Sequence, residues 1–182
     1  MCSSTLYLIL KYIYFKIQNL LISNLKKSDQ PSEIATSTKG AIDVQICPHN
    51  SQFISYVLDD NLWIQDLETR QEIKLTNSAA PMKSGVPSYA VQEEFNRYSG
   101  YWWYPHKQVN DDKSCTYRLV YEETDEGLVE LTYITPSCTD GPGYDEYRYP
   151  RAGTPNSRVY LKMIEFTVPA DKNVSLEKAS LL

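Results

Sequence analysis

Two pairs of adjacent glutamates, Glu93-Glu94 and Glu122-Glu123, are the residues of this chain whose type and spacing could do chemistry. Neighbouring carboxylates can hold a cation through charge-assisted hydrogen bonds, each worth about 1.5–3 kcal/mol net. Most such pairs, roughly nine in ten, are simply solvated, because glutamate is rarely buried. Glu122-Glu123 lies in a strand pattern before a turn, and we assign it no function. The residues that flank Glu93-Glu94 therefore decide whether that pair binds anything.

The backbone at Glu93-Glu94 has to leave strand geometry if both carboxylates are to face one ligand, because adjacent strand residues point to opposite faces of a sheet. We therefore predict a helical turn or loop around Gln92–Phe95. The run from Phe95 to Trp103 is rich in aromatic residues, and we expect it to anchor this turn.

Other kinds of site find little support. The cysteines are Cys2, Cys47, Cys115 and Cys138. They form no CxxC motif and the chain has only two histidines, so we expect no metal site, no cofactor, and reduced, mostly buried thiols. The net charge of −5, without a dense run of Lys and Arg, argues against nucleic-acid binding.

The elements that must position the glutamates begin after residue 40. Four short strand patterns joined by turns are Ile42–Cys47, Phe53–Leu58, Leu62–Leu67 and Gln71–Thr76. Their spacing predicts one antiparallel four-stranded meander, as in a propeller blade, although a β-sandwich would contain similar strands. A second, looser unit is predicted from Tyr101–Pro105, Thr116–Glu123, Leu128–Ile134 and Val159–Val168, with a Pro/Gly-rich loop over Pro136–Pro155. The fold class is therefore all-β.

The first 40 residues differ in character from the rest. Residues 6–25 are strongly apolar, but Lys11 and Lys16 interrupt them, which disfavours a membrane-spanning helix. Three alternatives stay open: strands or a helix packed on the domain, a poor signal anchor, or sequence foreign to the native gene. A polar linker, Lys26–Gly40, follows. At the other end, residues 169–182 are predicted to be a polar tail.

Three stretches in order resemble the β-propeller of dipeptidyl peptidases of the prolyl oligopeptidase family. They are NLWIQDLETRQEIKLT (61–76), VQEEFNRYSGYWWYP (91–105) and YRYPRAGTPNSRVYLKMIEF (147–166). The amino-acid sequence of these stretches resembles most the cytosolic dipeptidyl peptidase eight/nine branch. The resemblance covers residues 41–168 and leaves 1–40 unmatched. It implies a partial β-propeller of two to three four-stranded antiparallel blades, with a short helical turn carrying the double glutamate.

The resemblance also implies a function. Family members are serine peptidases that release dipeptides, preferring Pro or Ala at the second position, and their double glutamate holds the substrate's α-ammonium. That role falls on Glu93 and Glu94. The upstream arginine of the family has no counterpart, because no Arg precedes Arg70.

No catalytic residue is expected in this chain, because it contains no GxSxG motif, the turn that exposes the serine of an α/β-hydrolase. We therefore expect a fragment, splice product or incomplete gene model that is inactive alone. The implied partners are peptide N-termini and, in the complete enzyme, a second copy as homodimer. The expected location is the cytoplasm, with anchoring through residues 6–25 as the alternative. The alternative functions are a non-catalytic peptide- or protein-binding module, or a truncated product without independent function.

Overall fold

The structure is a computed structural model that describes residues 11–16, 19–24, 32–33, 40–135, 143–170 and 180–181. Most of the linker predicted at Lys26–Gly40, part of the loop predicted at Pro136–Pro155 and most of the predicted tail lie outside these residues. Within the described part of the chain, the architecture is antiparallel β-sheet with one short helix. No helix among these residues has the length and apolarity needed to cross a membrane.

The N-terminal segment contributes a small sheet of its own. Strands β1 (Lys11–Lys16), β2 (Asn19–Asn24) and β3 (Ser32–Glu33) pair in that order, with Lys11 opposite Asn24. The described backbone of this segment is therefore strand, one of the two forms named in the first alternative.

The first predicted blade is a four-stranded antiparallel meander. Its strands pair in chain order and are β4 (Ile42–Ile46), β5 (Phe53–Leu58), β6 (Asn61–Asp66) and β7 (Glu72–Lys74). The central strand β5 is buried on both faces, from Phe53 to Val57. The prediction of one compact meander over residues 42–76 is confirmed.

The second sheet has six strands and a different order from the predicted meander. Its members are β8 (Met82–Ser84), β9 (Tyr101–Trp103), β10 (Gln108–Val109), β11 (Cys115–Asp125), β14 (Arg158–Val168) and β15 (Ser180–Leu181). Strands β11 and β14 pair along their whole length, from Cys115 opposite Val168 to Asp125 opposite Arg158. The end of the predicted polar tail carries strand β15, which pairs with β14.

A separate hairpin projects between β11 and β14. It consists of β12 (Leu131–Ile134) and β13 (Asp145–Arg148), which pair with each other and with no other described strand. The prediction that Leu128–Ile134 supplies the third strand of the second blade is therefore wrong, because β14 takes that place beside β11. The predicted Pro/Gly-rich loop contains a strand, β13.

The main core lies between the two large sheets. Alternate residues of β5 and β6, including Phe53, Val57 and Ile64, pack on the face of the second sheet. The aromatic rings interlock there, with Phe166 stacked on Tyr117 at 5.3 Å and edge-on to Phe53 at 6.2 Å. Cys47 is buried in this core, and burial raises the pKa of its thiol. Cys47 and Cys115 are free, with Cys115 half-buried, whereas Cys2 and Cys138 lie outside the described residues.

Candidate functional site

The double glutamate lies on a short helix, α1 (Tyr89–Phe95). The helix begins at Ser88, whose hydroxyl oxygen accepts a hydrogen bond from the Val91 amide at 3.4 Å. It ends at Asn96, which adopts the left-handed conformation with φ of 51°, a conformation that Asn tolerates well. The prediction of a helical turn around Gln92–Phe95 is confirmed.

Gly85 and Gly100 bring the segments before and after α1 into contact. A Cβ on Gly100 would lie 2.6 Å from the carbonyl carbon and oxygen of Gly85, so only glycine allows these two backbone segments to approach so closely. Strand β11 joins them, because the Gly85 amide donates to the Glu122 carbonyl and the Glu122 amide donates to the Gly100 carbonyl, both at 2.8 Å. The helix is therefore fixed at both ends against the second sheet.

The two glutamate pairs have opposite electrostatic surroundings. Glu122 forms an ion pair with Arg97 at 2.9 Å, and Glu123 forms one with Lys162 at 2.5 Å. Glu93 and Glu94 are exposed, and within the described residues neither has a cationic partner. The exposed pair therefore carries two negative charges that no described residue neutralises.

A cluster of tyrosines borders the glutamates. The hydroxyl of Tyr149 donates a hydrogen bond to Oε1 of Glu94. The ring of Tyr89 stacks on Tyr147 at 4.3 Å and meets Tyr149 edge-on at 6.2 Å. The bond to Glu94 raises the pKa of Tyr149, because a phenolate there would face a carboxylate. The pKa of Tyr89 is also raised, mainly by desolvation and then by the negative charge of Glu93.

The aromatic run after the helix anchors it only in part. Tyr101 is fully buried, and its hydroxyl contacts both Ser55 and the backbone of Asp43 in the first sheet. Phe95 and Tyr98, by contrast, are 76% and 58% exposed. The expectation that the whole run from Phe95 to Trp103 anchors the helix is therefore wrong for its first half. The glycine contact and Tyr101 serve that purpose instead.

A cavity of about 670 Å³ lies on the side of α1 that carries Tyr89 and Gln92. Its mixed lining is Asp60, Ala80, Pro81, Lys83, Tyr89, Gln92, Glu126, Leu131, Glu146, Tyr147 and Arg148. The charges are of both signs, and Lys83 and Glu126 neutralise each other at 2.9 Å. No group of three or more potential metal ligands occurs among the residues that the structure describes.

Sequence reasoning located the glutamates but missed the tyrosines. Tyr147 and Tyr149 belong to the stretch YRYPRAG, which carried part of the family resemblance without being interpreted as part of the site. Nothing local connects Tyr149 to Glu94, because 55 residues separate them. The signal that the sequence does contain is the density of tyrosine around 144–149.

Comparison with known proteins gives a consistent result. A family model described as the dipeptidyl peptidase IV N-terminal region matches residues 9–180. The matched range starts well before residue 41, where the motif resemblance began, and therefore includes most of the N-terminal segment. Dipeptidyl peptidase 8 of Homo sapiens is 34% identical over 154 residues, which are 80% of this chain and 17% of that protein.

Other relatives agree. Dipeptidyl peptidase 8 of Mus musculus is 35% identical over 78% of this chain and 17% of its own length. A probable dipeptidyl-aminopeptidase B of Podospora anserina is 30% identical over 70% of this chain and 14% of its own. The crystal structure of Porphyromonas gingivalis dipeptidyl peptidase 4 superimposes with a TM-score of 0.55 at 15% identity, covering 90% of this chain and 21% of that one.

The chain spans about a sixth of the length of the curated relatives that it matches, 17% for the first two. The structural likeness establishes the fold, a part of a β-propeller. The family match covers most of the chain, from residue 9 to residue 180. The chain therefore belongs to the family of the dipeptidyl peptidase IV N-terminal region.

Proposed function

We propose that this chain is the propeller part of a serine dipeptidyl peptidase and that it binds the free N-terminus of a peptide substrate through Glu93 and Glu94. The observation that carries the proposal is the pair of exposed carboxylates on α1, which form no ion pair with any described residue, whereas Glu122 and Glu123 each form one. A free α-amino group has a pKa of about 7.7–8.0 and is therefore mostly cationic at neutral pH. The family relationship supports the same assignment.

The ammonium contact would also measure distance along the substrate. With the ammonium fixed at α1, only a bond at a set distance from the N-terminus reaches a nucleophile supplied elsewhere. Release of Xaa-Pro or Xaa-Ala dipeptides would follow from that constraint, with the bond-breaking residues outside this chain. The chain alone should therefore bind peptides and hydrolyse none. The cytoplasm as location and homodimerisation of the complete enzyme are proposed from the resemblance alone.

The test is a titration of the 182-residue chain with a peptide that begins Ala-Pro, against the same peptide N-acetylated. Acetylation should abolish binding. Glu93→Gln and Glu94→Gln should each weaken it about tenfold or more, since a hydrogen bond to a charged group contributes about 1.5–3 kcal/mol. Asp111→Asn is the control, because Asp111 is an exposed carboxylate outside both the helix and the β12–β13 hairpin. Equal affinity for both peptides would rule the proposal out, as would serine-dependent hydrolysis of an Ala-Pro reporter by the pure chain.

The alternative is a non-catalytic binding module that recognises a protein surface instead of a peptide N-terminus. Such a module would bind its partner equally well after acetylation of the N-terminus, so the same titration separates the two. A truncated product without function would bind in neither case.

A further inference from the structure

The hydroxyl of Tyr149 is the one described side-chain partner of the double glutamate. It donates to Oε1 of Glu94 from a segment 55 residues further along the chain. The donor is neutral, so the carboxylate is held without losing its charge. Oε2 of Glu94 and both oxygens of Glu93 keep no described hydrogen-bond partner. Carboxylate oxygens of both glutamates therefore remain able to accept hydrogen bonds from the three N–H donors of an ammonium group.

Tyr149 is itself held firmly at the base of the hairpin. Its amide donates to the Glu130 carbonyl at 3.0 Å, next to the pair formed by Leu131 and Arg148. The Arg148 guanidinium donates to the Val129 carbonyl at 2.8 Å, which adds a second contact between the two ends of the hairpin. The following residue is Pro150, which restricts Tyr149 to extended backbone conformations. The backbone at Tyr149 is therefore held in place while its hydroxyl contacts Glu94.

We propose that Tyr149 is a positioning residue of the peptide-binding site, which orients the Glu94 carboxylate before the substrate arrives. This inference rests on the proposed function of Glu93 and Glu94. An exposed glutamate samples several rotamers, and ordering it during binding costs conformational entropy. The bond from Tyr149 orders it in the free protein, so the site is built jointly by helix α1 and the β12–β13 hairpin.

The test uses the full chain and the Ala-Pro peptide. Tyr149→Phe keeps the ring against Tyr89 and removes only the hydroxyl, and it should weaken peptide binding roughly five- to tenfold, less than loss of a carboxylate. Tyr144→Phe is the matched control, because Tyr144 lies on the same hairpin, 61% exposed, with its ring against Tyr133. It should bind like the unmodified chain.

A spectroscopic measurement separates positioning from a general structural effect. With 13Cζ-labelled tyrosine at position 149, the phenol should titrate above the ordinary tyrosine range and return toward that range in Glu94→Gln. An unchanged titration in Glu94→Gln would overturn the inference even if Tyr149→Phe failed to fold.

The outcomes also distinguish this inference from the function on which it rests. If Glu93→Gln and Glu94→Gln weaken binding while Tyr149→Phe does not, only the role of Tyr149 is refuted. If acetylated and free peptides bind alike, the ammonium site itself is refuted and the inference falls with it. Weakened binding in Tyr149→Phe, normal binding in Tyr144→Phe and the shifted titration together would establish it.

Discussion

The guanidinium of Arg97 lies 2.9 Å from a carboxylate oxygen of Glu122, so the segment that leaves the helix is tied by charge to strand β11. A second Arg97 nitrogen donates to the Ser99 carbonyl at 2.9 Å. The arginine nearest in sequence to the double glutamate is therefore engaged with another glutamate, and among the described residues it forms no ion pair with Glu93 or Glu94.

Replacing Arg97 by Met should lower the free energy of unfolding by about 1–2 kcal/mol, because Glu122 would keep a mostly buried charge without its partner. Adding Glu122→Gln should recover part of that loss, since the stranded charge is then gone. Urea unfolding of the single and double variants measures both effects. Additive losses in the double variant would show that the two side chains do not interact.

Gly100→Ala should lower the free energy of unfolding by about 1–3 kcal/mol, because the new methyl group would overlap the backbone of Gly85. Peptide binding should fall as well, since the two ends of α1 would be forced apart. Gly143→Ala is the control, because no atom lies within 4 Å of its added Cβ. Equal thermal unfolding midpoints for the two variants would contradict the close contact.

Tyr101→Phe should cost about 1–2 kcal/mol of stability, because the fully buried hydroxyl bridges the two large sheets. Ser55 donates to it at 3.1 Å, and it donates to the Asp43 carbonyl at 2.5 Å. The same change at Tyr160, whose side chain is exposed, should have little effect. Chemical unfolding of both variants checks the difference, and a neutral result at Tyr101 would mean that Ser55 and Asp43 find other partners.

Peptide binding should decline as pH rises through the pKa of the peptide's amino group, about 7.7–8.0, because the ligand loses its positive charge. Above that value the affinity should fall about tenfold per pH unit. Tyr149 should not contribute to this decline, because Glu94 raises its pKa above the ordinary tyrosine value and the phenol stays protonated. Calorimetric titrations between pH 6.5 and about 9 test the expectation. Constant affinity over this range would exclude ammonium recognition.

The first blade was predictable because its information is local. Phe53–Leu58 was predicted with the observed bounds. The helical turn around Gln92–Phe95 was predicted from the requirement that both carboxylates face one ligand. Alternating apolar residues and tight turns specify such a meander without distant contacts.

The second sheet was predictable only in part, because its pairing is long-range. Leu128–Ile134 has the composition of a sheet strand, yet β11 pairs with β14 across the whole intervening hairpin. The contact between Tyr149 and Glu94 depends on that topology. A local sequence pattern can therefore contain the residues of the site, but it does not specify the strand pairing that brings them together.

The pairing of Asp125 with Arg158 has a consequence for how this fold can vary. The chain leaves the sheet after Asp125 and re-enters it at Arg158, directly opposite, so the two ends of the intervening segment are held together. Lengthening such a closed loop is entropically cheap, about 0.6 kcal/mol for each doubling. Insertions or a grafted epitope beyond Ile134 should therefore be tolerated. The part of this segment nearest the sheet, which includes Tyr149, would have to be preserved for the contact with Glu94 to form.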